Sequence, residues 1–336
     1  MSIKILATLG PASLSEKVVR ELTSNGVSLF RINLSHTLLD DVESIIKKVQ
    51  LWTEVPICLD SEGAQVRNQK MLNEAVNFKK GSTILIHHEP VVGDSENISF
   101  APKTVSKQLK VGDRIKVDFN SVCFRVLEDK EDGLLAEVEH GGCVGSNKAA
   151  DVDSDINLDA LTDKDKAAFE IGLKFGIRDF SLSFTNSASD VKELRDIIGS
   201  DANLISKIES IQGVYNLDEI LPIVDSILID RGDLSREVAI EKIPFLQRRI
   251  IASARLKETP VFVATNLLES MINADLPTRA EANDVASTLL MGANGLVLAA
   301  ETAIGKNPIG SVKMINLIIE QYNRWTPESS AQNIIS

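Results

Sequence analysis

The length, composition and charge of this chain exclude several classes of protein. Its 336 residues, 43% of them apolar, can bury a full hydrophobic core, so the chain is neither disordered nor a repeat array. The 36 basic and 48 acidic side chains leave a net charge of −12, which does not attract nucleic acid or an anionic membrane surface at long range.

Eight short apolar runs predict parallel strands. They read as near-continuous strings, as expected of strands covered on both faces. In chain order they are Ile3–Leu9, Val27–Ile32, Pro56–Asp60, Asp179–Phe184, Asn203–Ile208, Asp225–Ile229, Pro260–Ala264 and Gly295–Ala299. Helix-like stretches separate them, and β-α units in this number predict an α/β fold that closes into a (β/α)₈ TIM barrel.

Start and stop signals mark the helices between these strands. Ser13, Thr162 and Ser187 are predicted N-caps, each at the head of a helix-like run. The first two of these runs close at Gly26 and Gly176, because glycine accepts the left-handed conformation that commonly ends a helix.

The pattern changes after the third predicted strand. Residues 68–148 contain no convincing amphipathic helix but hold the strand-like runs STILIHH, DRIKVDF, CFRVLED and LLAEVEH. We predict a small all-β domain here, inserted into a barrel made of residues 1–67 and 149–325. Residues 326–336 read as a polar tail.

The cysteines and apolar runs predict the compartment. Three cysteines form no C-x-x-C pair, and their odd number is typical of a reducing environment. The apolar stretch at the N-terminus is too short for a signal peptide, and no apolar run reaches the roughly 18 residues of a membrane span. We therefore expect a cytoplasmic protein with no membrane or nucleic-acid partner.

Polar side chains follow nearly every predicted strand. Because a barrel's active site forms where its strands end, we expect these side chains to meet at one mouth. In chain order they are Arg31, Asn33, Ser35, His36, Asp60, Ser61, Arg67, Ser183, Lys207, Glu209, Gly232, Asp233, Thr265, Asn266 and Glu301. The small residues from Thr8 to Ser13 are expected to open a helix whose free N–H groups could receive an anion.

The residue types at this mouth predict a hard divalent cation. Lys207 and Glu209 are two residues apart in an extended segment, so their side chains leave the same face. Glu209 and Asp233, completed by substrate oxygens and water, suit Mg²⁺. Simpler explanations are a structural Lys–Glu ion pair, an ordinary Gly–Asp turn, and an ion pair between Arg31 and Asp60.

Six segments, in order, resemble the signature segments of the pyruvate kinase family. They are TLGPAS, FRINLSH, LISKIESIQGVYNLDEI, RGDL, ATNLLESMINADLPTRAEANDVA and ETAIGKNP, and the match covers nearly all of residues 1–325. The resemblance implies a metal-dependent phosphotransferase that converts phosphoenolpyruvate, or a related enolpyruvate, and ADP to pyruvate and ATP. The stretch 68–148 resembles the family's lid domain, which would close over the nucleotide to exclude water.

The resemblance also implies roles for individual residues. Lys207, Thr265 and Arg31 would be catalytic: Lys207 stabilises charge on the phosphoryl group and the enolate, Thr265 belongs to the proton relay, and Arg31 faces the phosphate. Glu209 and Asp233 would hold Mg²⁺ or Mn²⁺.

Three further groups of residues match binding positions of the family. The substrate-binding positions are Ser183, Gly232, Asp233 and Thr265, where Gly232 and Asp233 would offer backbone N–H groups to the substrate carboxylate. The nucleotide-side positions are Arg31, Asn33, His36, Arg67 and Lys148. The monovalent-cation positions are Asn33, Ser35, Asp60 and Ser61.

The chain departs from the family pattern around the predicted pocket. The family's D-T-K-G-P-E-I-R reads DSEGAQVR here, from Asp60 to Arg67, which argues against a K⁺ requirement. Asp230 stands where a small apolar residue is usual, Asn266 replaces a glutamine, and Val117 to Asn120 replace the lid's V-D-D-G turn. Nothing similar to the family's C-terminal regulatory domain follows, so we expect no allosteric control through it. The sequence does not determine the oligomeric state, and a homo-oligomer is compatible with it.

Two other functions stay open on the sequence alone. One is an enolate-forming lyase or aldolase that binds a keto acid without nucleotide; the retained Arg67 and Lys148 weigh against it. The other is a catalytically degenerate relative that acts as a binding or regulatory protein; Lys207 and Thr265 weigh against it, whereas the altered lid residues favour it.

Overall fold

The computed structural model describes residues 3–63, 65–118, 120–154 and 156–335. The chain divides into two compact units, one within Met1–Gly63 and Ala160–Ser336 and one within Ala64–Asp159. The predicted insert, residues 68–148, lies within the second unit. Ala64 and Phe119, which belong to segments singled out in the sequence, lie outside the described residues.

Eight strands of the first unit form a closed parallel barrel. Numbered along the whole chain, they are β1 (Lys4–Thr8), β2 (Leu29–Asn33), β3 (Ile57–Asp60), β13 (Asp179–Leu182), β14 (Asn203–Ile208), β15 (Ser226–Asp230), β16 (Val261–Ala264) and β17 (Gly295–Leu298). Each pairs with the next in this order, and β17 pairs with β1 to close the sheet. The predicted (β/α)₈ barrel is confirmed.

The helices lie between these strands and after the last of them. They are α1 (Glu16–Ser24), α2 (Leu39–Trp52), α3 (Asp163–Lys174), α4 (Ala188–Ile198), α5 (Ile211–Tyr215), α6 (Leu217–Ile220), α7 (Arg231–Glu237), α8 (Ile243–Leu256), α9 (Arg279–Met291), α10 (Ala300–Ala303), α11 (Pro308–Arg324) and α12 (Ala331–Ile335). Phe169 of α3 packs edge-to-face on Phe180 of β13, with ring centroids 5.2 Å apart, in the core between sheet and helices. No helix among the described residues has the length and apolar character needed to cross a membrane.

Two of the three predicted N-caps are confirmed, and one is wrong. Thr162 and Ser187 each form a capping box, with Asp165 and Asp190 respectively at the third helical position. Helix α1 begins later than predicted, with Ser15 as its N-cap. The Ser13 hydroxyl instead accepts a hydrogen bond from the N–H of Gly10 at 3.1 Å, inside the turn that precedes the helix.

Alternation along the barrel strands places the polar mouth of the first unit. A separate buried cluster of Leu6, Leu29, Cys58, Ile205, Leu228, Phe262, Ala264 and Val297 fills the inside of the barrel. Because side chains two residues apart in a strand share a face, the next inward positions on β2, β3, β14 and β15 follow directly from this cluster. These positions are Arg31, Asp60, Lys207 and Asp230, and all four are at most 5% exposed.

The second unit is built from nine short strands. They are β4 (Val66–Asn68), β5 (Ala75–Phe78), β6 (Thr83–His87), β7 (Asn97–Ala101), β8 (Arg114–Val117), β9 (Val122–Lys130), β10 (Gly133–His140), β11 (Gly142–Gly145) and β12 (Ala149–Val152). Seven of them close a second barrel, and β5 and β11 form a two-stranded sheet. The four predicted strand-like runs correspond to β6, β8, β9 and β10. Phe78 and Phe124 meet edge-to-face in the core, with ring centroids 5.1 Å apart.

Candidate active site

Lys207 is the central cation of the barrel mouth. Its ammonium donates to Ser183 Oγ at 2.8 Å and lies 3.3 Å from Asp60 Oδ2 and 3.0 Å from Glu209 Oε1. Burial lowers the pKa of Lys207, but the carboxylates of Asp60 and Glu209 oppose this, and the net result is a pKa above the ordinary lysine value. The side chain therefore stays charged at neutral pH.

Arg31 brings a second buried cation to the mouth. Its Nε lies 3.4 Å from Asp60 Oδ2, and the registers of β1, β2 and β3 place Arg31 beside Thr8 and Cys58. Burial lowers the pKa of the guanidinium, but the coulombic effect of Asp60 and other acids keeps it above its ordinary value. Neither Nε nor Nη1 of Arg31 has a hydrogen-bond acceptor among the described residues. The ion pair predicted as the simple explanation thus exists, and it leaves these N–H groups for a ligand.

Three carboxylates converge beside Lys207. One carboxylate oxygen from each of Glu209, Asp230 and Asp233 lies within 4.8 Å of the others. Burial, together with Asp233 and Asp230, raises the pKa of Glu209 to about 8 against the effect of Lys207. Burial and Asp230 also raise the pKa of Asp233, which Lys207 and Arg236 oppose. Negative charge is in excess at this corner of the mouth.

The donors of this cluster fit a hard divalent cation. Glu209 Oε2 accepts the N–H of Phe184 at 2.7 Å, whereas the buried Oε1 receives no hydrogen bond and has only the ammonium of Lys207 at ion-pair distance. Carboxylate oxygens are the ligands that Mg²⁺ and Mn²⁺ prefer, and an ion would compensate the excess charge. Glu209 and Asp233, which the sequence analysis put forward as metal ligands, are thus brought together with a third acid.

Thr265 and Gly232 are joined in one hydrogen-bond network. The Gly232 N–H donates to Thr265 Oγ1 at 2.8 Å and to Asp230 Oδ1 at 3.1 Å, and the Thr265 hydroxyl donates to Asp230 Oδ1 at 3.1 Å. Thr265 and Asn266 both have positive φ, 66° and 54°; for the β-branched Thr265 this is strained backbone, which is frequent at functional sites. The N–H groups expected to receive a substrate carboxylate are therefore already hydrogen-bonded inside the protein.

Two of the predicted monovalent-cation residues lie close to Lys207: Asp60 pairs with its ammonium, and Ser61 contacts Ser183, which accepts from that ammonium. Asn33 and Asp60 are partners in the β2–β3 register, and Asn33 Oδ1 accepts the N–H of Ser35 at 3.0 Å. Ser61 accepts two hydrogen bonds from Ser183, from its N–H to Oγ at 2.8 Å and from its hydroxyl to the carbonyl at 2.7 Å. Asp60 Oδ1 is buried without a hydrogen bond, while its Oδ2 faces two cationic side chains.

The predicted nucleotide residues divide between the two units. Arg67 and Lys148 belong to the second unit, where β4 and β12 pair and the backbone N–H of Lys148 donates to Asn68 Oδ1 at 2.7 Å. Arg67 donates to the carbonyl of Asn147 at 3.0 Å, and Lys148 pairs with Asp118 at 3.5 Å. His36 belongs to the first unit and is exposed. The nucleotide-binding role of these residues stays a prediction.

The N–H groups of the turn at the end of β1 make hydrogen bonds within the protein, and the anion site expected at the start of the following helix stays a prediction. The N–H of Gly10 donates to Ser13 Oγ, that of Ala12 to the carbonyl of Ala303 at 2.9 Å, and those of Ser13 and Leu14 to the carbonyl of Gly10. A Cβ on Gly10 would lie 2.6 Å from the carbonyl oxygen of Ala303, so the turn is packed tightly against α10. Its N–H groups serve the fold.

The sequence analysis missed the role of Asp230 in the cluster. It noted this residue only as a departure from a small apolar one. Two signals were available: Asp230 directly follows the predicted strand Asp225–Ile229, and it lies two residues after Leu228, whose side chain points into the barrel.

Comparison with known proteins agrees with this geometry. A family model described as pyruvate kinase, barrel domain, matches residues 1–312. The pyruvate kinase of Thermotoga maritima is 32% identical over 329 residues, which cover 95% of this chain and 71% of that protein. The pyruvate kinases of Thermococcus litoralis and Mycobacterium tuberculosis are each 34% identical, over 93% and 94% of this chain and 68% and 69% of their own lengths. The chain therefore belongs to the pyruvate kinase family of phosphotransferases.

Proposed function

We propose that this protein transfers a phosphoryl group between phosphoenolpyruvate, or a related enolpyruvate, and ADP to give pyruvate and ATP. The observation that carries the proposal is the contact of the Lys207 ammonium with Glu209, beside Asp233, at the carboxyl ends of adjacent barrel strands. A permanent positive charge next to a set of metal-binding acids suits a reaction in which charge spreads over phosphoryl and enolate oxygens.

Each polar group of the mouth has a place in this proposal. Lys207 would donate to the transferring phosphoryl oxygens and the enolate oxygen, and it would stay protonated because its pKa is raised. Arg31 would direct its unpartnered N–H groups at the phosphate. The Thr265 hydroxyl accepts from the N–H of Gly232 and has Asp230 Oδ1 and the carbonyl of Ala264 as hydrogen-bond acceptors, so that its oxygen would be held in place for the proton relay to the enolate carbon.

A divalent ion would be held by Glu209 and Asp233. When bound, such an ion supplies Lewis-acid stabilisation of phosphoryl and enolate oxygens. Serine side chains position the lysine itself: Ser183 accepts from the Lys207 ammonium and is fixed by Ser61 on the neighbouring strand end. This support matters because a misplacement of about 1 Å can cost roughly 100-fold in rate.

A direct assay tests the proposal. The full chain is incubated with Mg²⁺, phosphoenolpyruvate and ADP, and pyruvate and ATP are quantified separately. We expect equal amounts of the two products, with no pyruvate when ADP is left out. Pyruvate formed without ADP would instead indicate a phosphatase or a lyase. Ligand binding without any turnover would indicate a binding protein. Either result overturns the proposal.

A further inference from the structure

Asp230 is a buried carboxylate. The proposed chemistry uses it only as a hydrogen-bond acceptor for Thr265, which does not explain why the side chain is charged. It is the last residue of β15 and continues the inward row that begins with Leu228. The side chain is 5% exposed. A carboxylate in this position needs compensation, because burying an uncompensated charge is costly.

One oxygen of Asp230 is fully occupied by the protein. Oδ1 accepts from the N–H of Gly232 at 3.1 Å, from the N–H of Asp233 at 3.4 Å and from the hydroxyl of Thr265 at 3.1 Å. These bonds cap the start of α7 and fix the plane of the carboxylate. They fix the orientation of the group without neutralising its charge.

The cations near Asp230 pair with other acids. Lys207 pairs with Asp60 and Glu209. Arg231, the next residue in the chain, pairs with Asp284 at 2.5 Å and donates to the carbonyl of Thr265. Among the described residues Asp230 forms no ion pair, although its charge acts at longer range on Arg31 and Lys207.

We propose that Asp230, together with Glu209 and Asp233, is a third protein carboxylate of the divalent-metal site and raises the affinity of this site for the ion. The inference rests on the metal site of the proposed function and deepens it. Three hard oxygen donors within 4.8 Å of one another suit a single Mg²⁺ or Mn²⁺, which usually completes its coordination with water or substrate. Asp230 would make the site more negative by one charge than a site of two acids.

The test separates this role from capping. Asp230→Asn keeps a side-chain oxygen for the N–H of Gly232 and the hydroxyl of Thr265, since asparagine is as good an N-cap as aspartate, but removes the charge. Mn²⁺ binding to the full chain is measured by isothermal titration calorimetry without phosphoenolpyruvate or nucleotide. The matched control is Asp179→Asn, since Asp179 opens β13 at the opposite end of the barrel.

We expect Asp230→Asn to weaken Mn²⁺ binding by about 10-fold or more, the loss typical of altered metal sites, with a melting temperature in EDTA no lower than that of the wild type. Asp179→Asn should bind Mn²⁺ like the wild type. Equal affinity of Asp230→Asn and wild type overturns the inference, and so does a wild type that binds no Mn²⁺ without substrate. Failure of the proposed function is distinguishable, because the products of phosphoryl transfer would then be missing while the loss of Mn²⁺ affinity persisted.

Discussion

Replacing Lys207 with methionine is expected to lower kcat for phosphoryl transfer by about 10³-fold, because removal of one preorganised donor at developing negative charge typically costs 10²–10³ in rate. Methionine has a similar length but no charge. Asp60 would keep Arg31 as an ion-pair partner, and Glu209 would keep the N–H of Phe184. The fold should therefore survive, and the loss should fall on the chemical step.

Steady-state rates of pyruvate and ATP formation measure this effect. Lys257→Met is the matched control, since Lys257 is an exposed lysine at the C-cap of α8, just before β16 begins and therefore away from the strand ends of the mouth. Melting temperatures of both variants show whether structure is kept. A Lys207→Met protein that retains a tenth or more of the wild-type kcat would contradict the assigned role of the ammonium.

The free energy of unfolding of the metal-free protein is expected to fall as the pH rises from about 5 to about 8, because of Glu209. Burial and neighbouring acids raise the pKa of this carboxyl from 4.5 to about 8 in the folded state. Between these values the folded state holds a proton that the unfolded state has released, so stability decreases with pH, by up to about 1.4 kcal/mol per pH unit for one proton. Below pH 4.5 both states are protonated and the contribution vanishes.

Urea unfolding in EDTA across this pH range measures the slope. Glu209→Gln should show a shallower decrease than the wild type, since glutamine does not titrate. Glu281→Gln is the control: hydrogen bonds from Ser270 and Thr278 outweigh burial and lower the pKa of Glu281, so its contribution to stability changes only in more acidic solution. Identical slopes for wild type and Glu209→Gln would show that Glu209 is ionised throughout the range.

The barrel was predictable because its strands carry strong local signals. The run from Asn203 to Ile208 was predicted with the bounds that the structure shows, since buried parallel strands are continuous apolar strings. Thr162 and Ser187 were recognisable as N-caps because the acid that completes each box lies three residues on. Ser13 was a wrong prediction, since its hydroxyl serves the tight turn at Gly10 instead.

The second unit was predictable in class but not in detail. Its strands β4, β5, β7, β11 and β12 are only three to five residues long. Strands this short owe their pairing to distant partners, as when Arg67 pairs with Ala101 on one side and Ala149 on the other. Such pairings have no local sequence signal.

At the candidate site the sequence could indicate residue types but not the hydrogen bonds between them. Because Lys207 and Glu209 are two residues apart in an extended segment, the sequence placed their side chains on one face, and in the structure their charged groups are 3.0 Å apart. This two-residue spacing alone could not show that Asp230 accepts the N–H of Gly232. That contact depends on the turn into α7 and on the left-handed backbone of Thr265. This contact alters how the mouth can receive a substrate.

The central claim is that a divalent ion lies between Glu209 and Asp233 at the side of Lys207, and anomalous diffraction tests it most directly. Crystals of the full chain grown with Mn²⁺ and phosphoenolpyruvate should show a manganese peak at coordination distance, roughly 2.0–2.6 Å, from a carboxylate oxygen of each of these acids. A manganese peak at another location, with both carboxylates free of metal, would contradict the account.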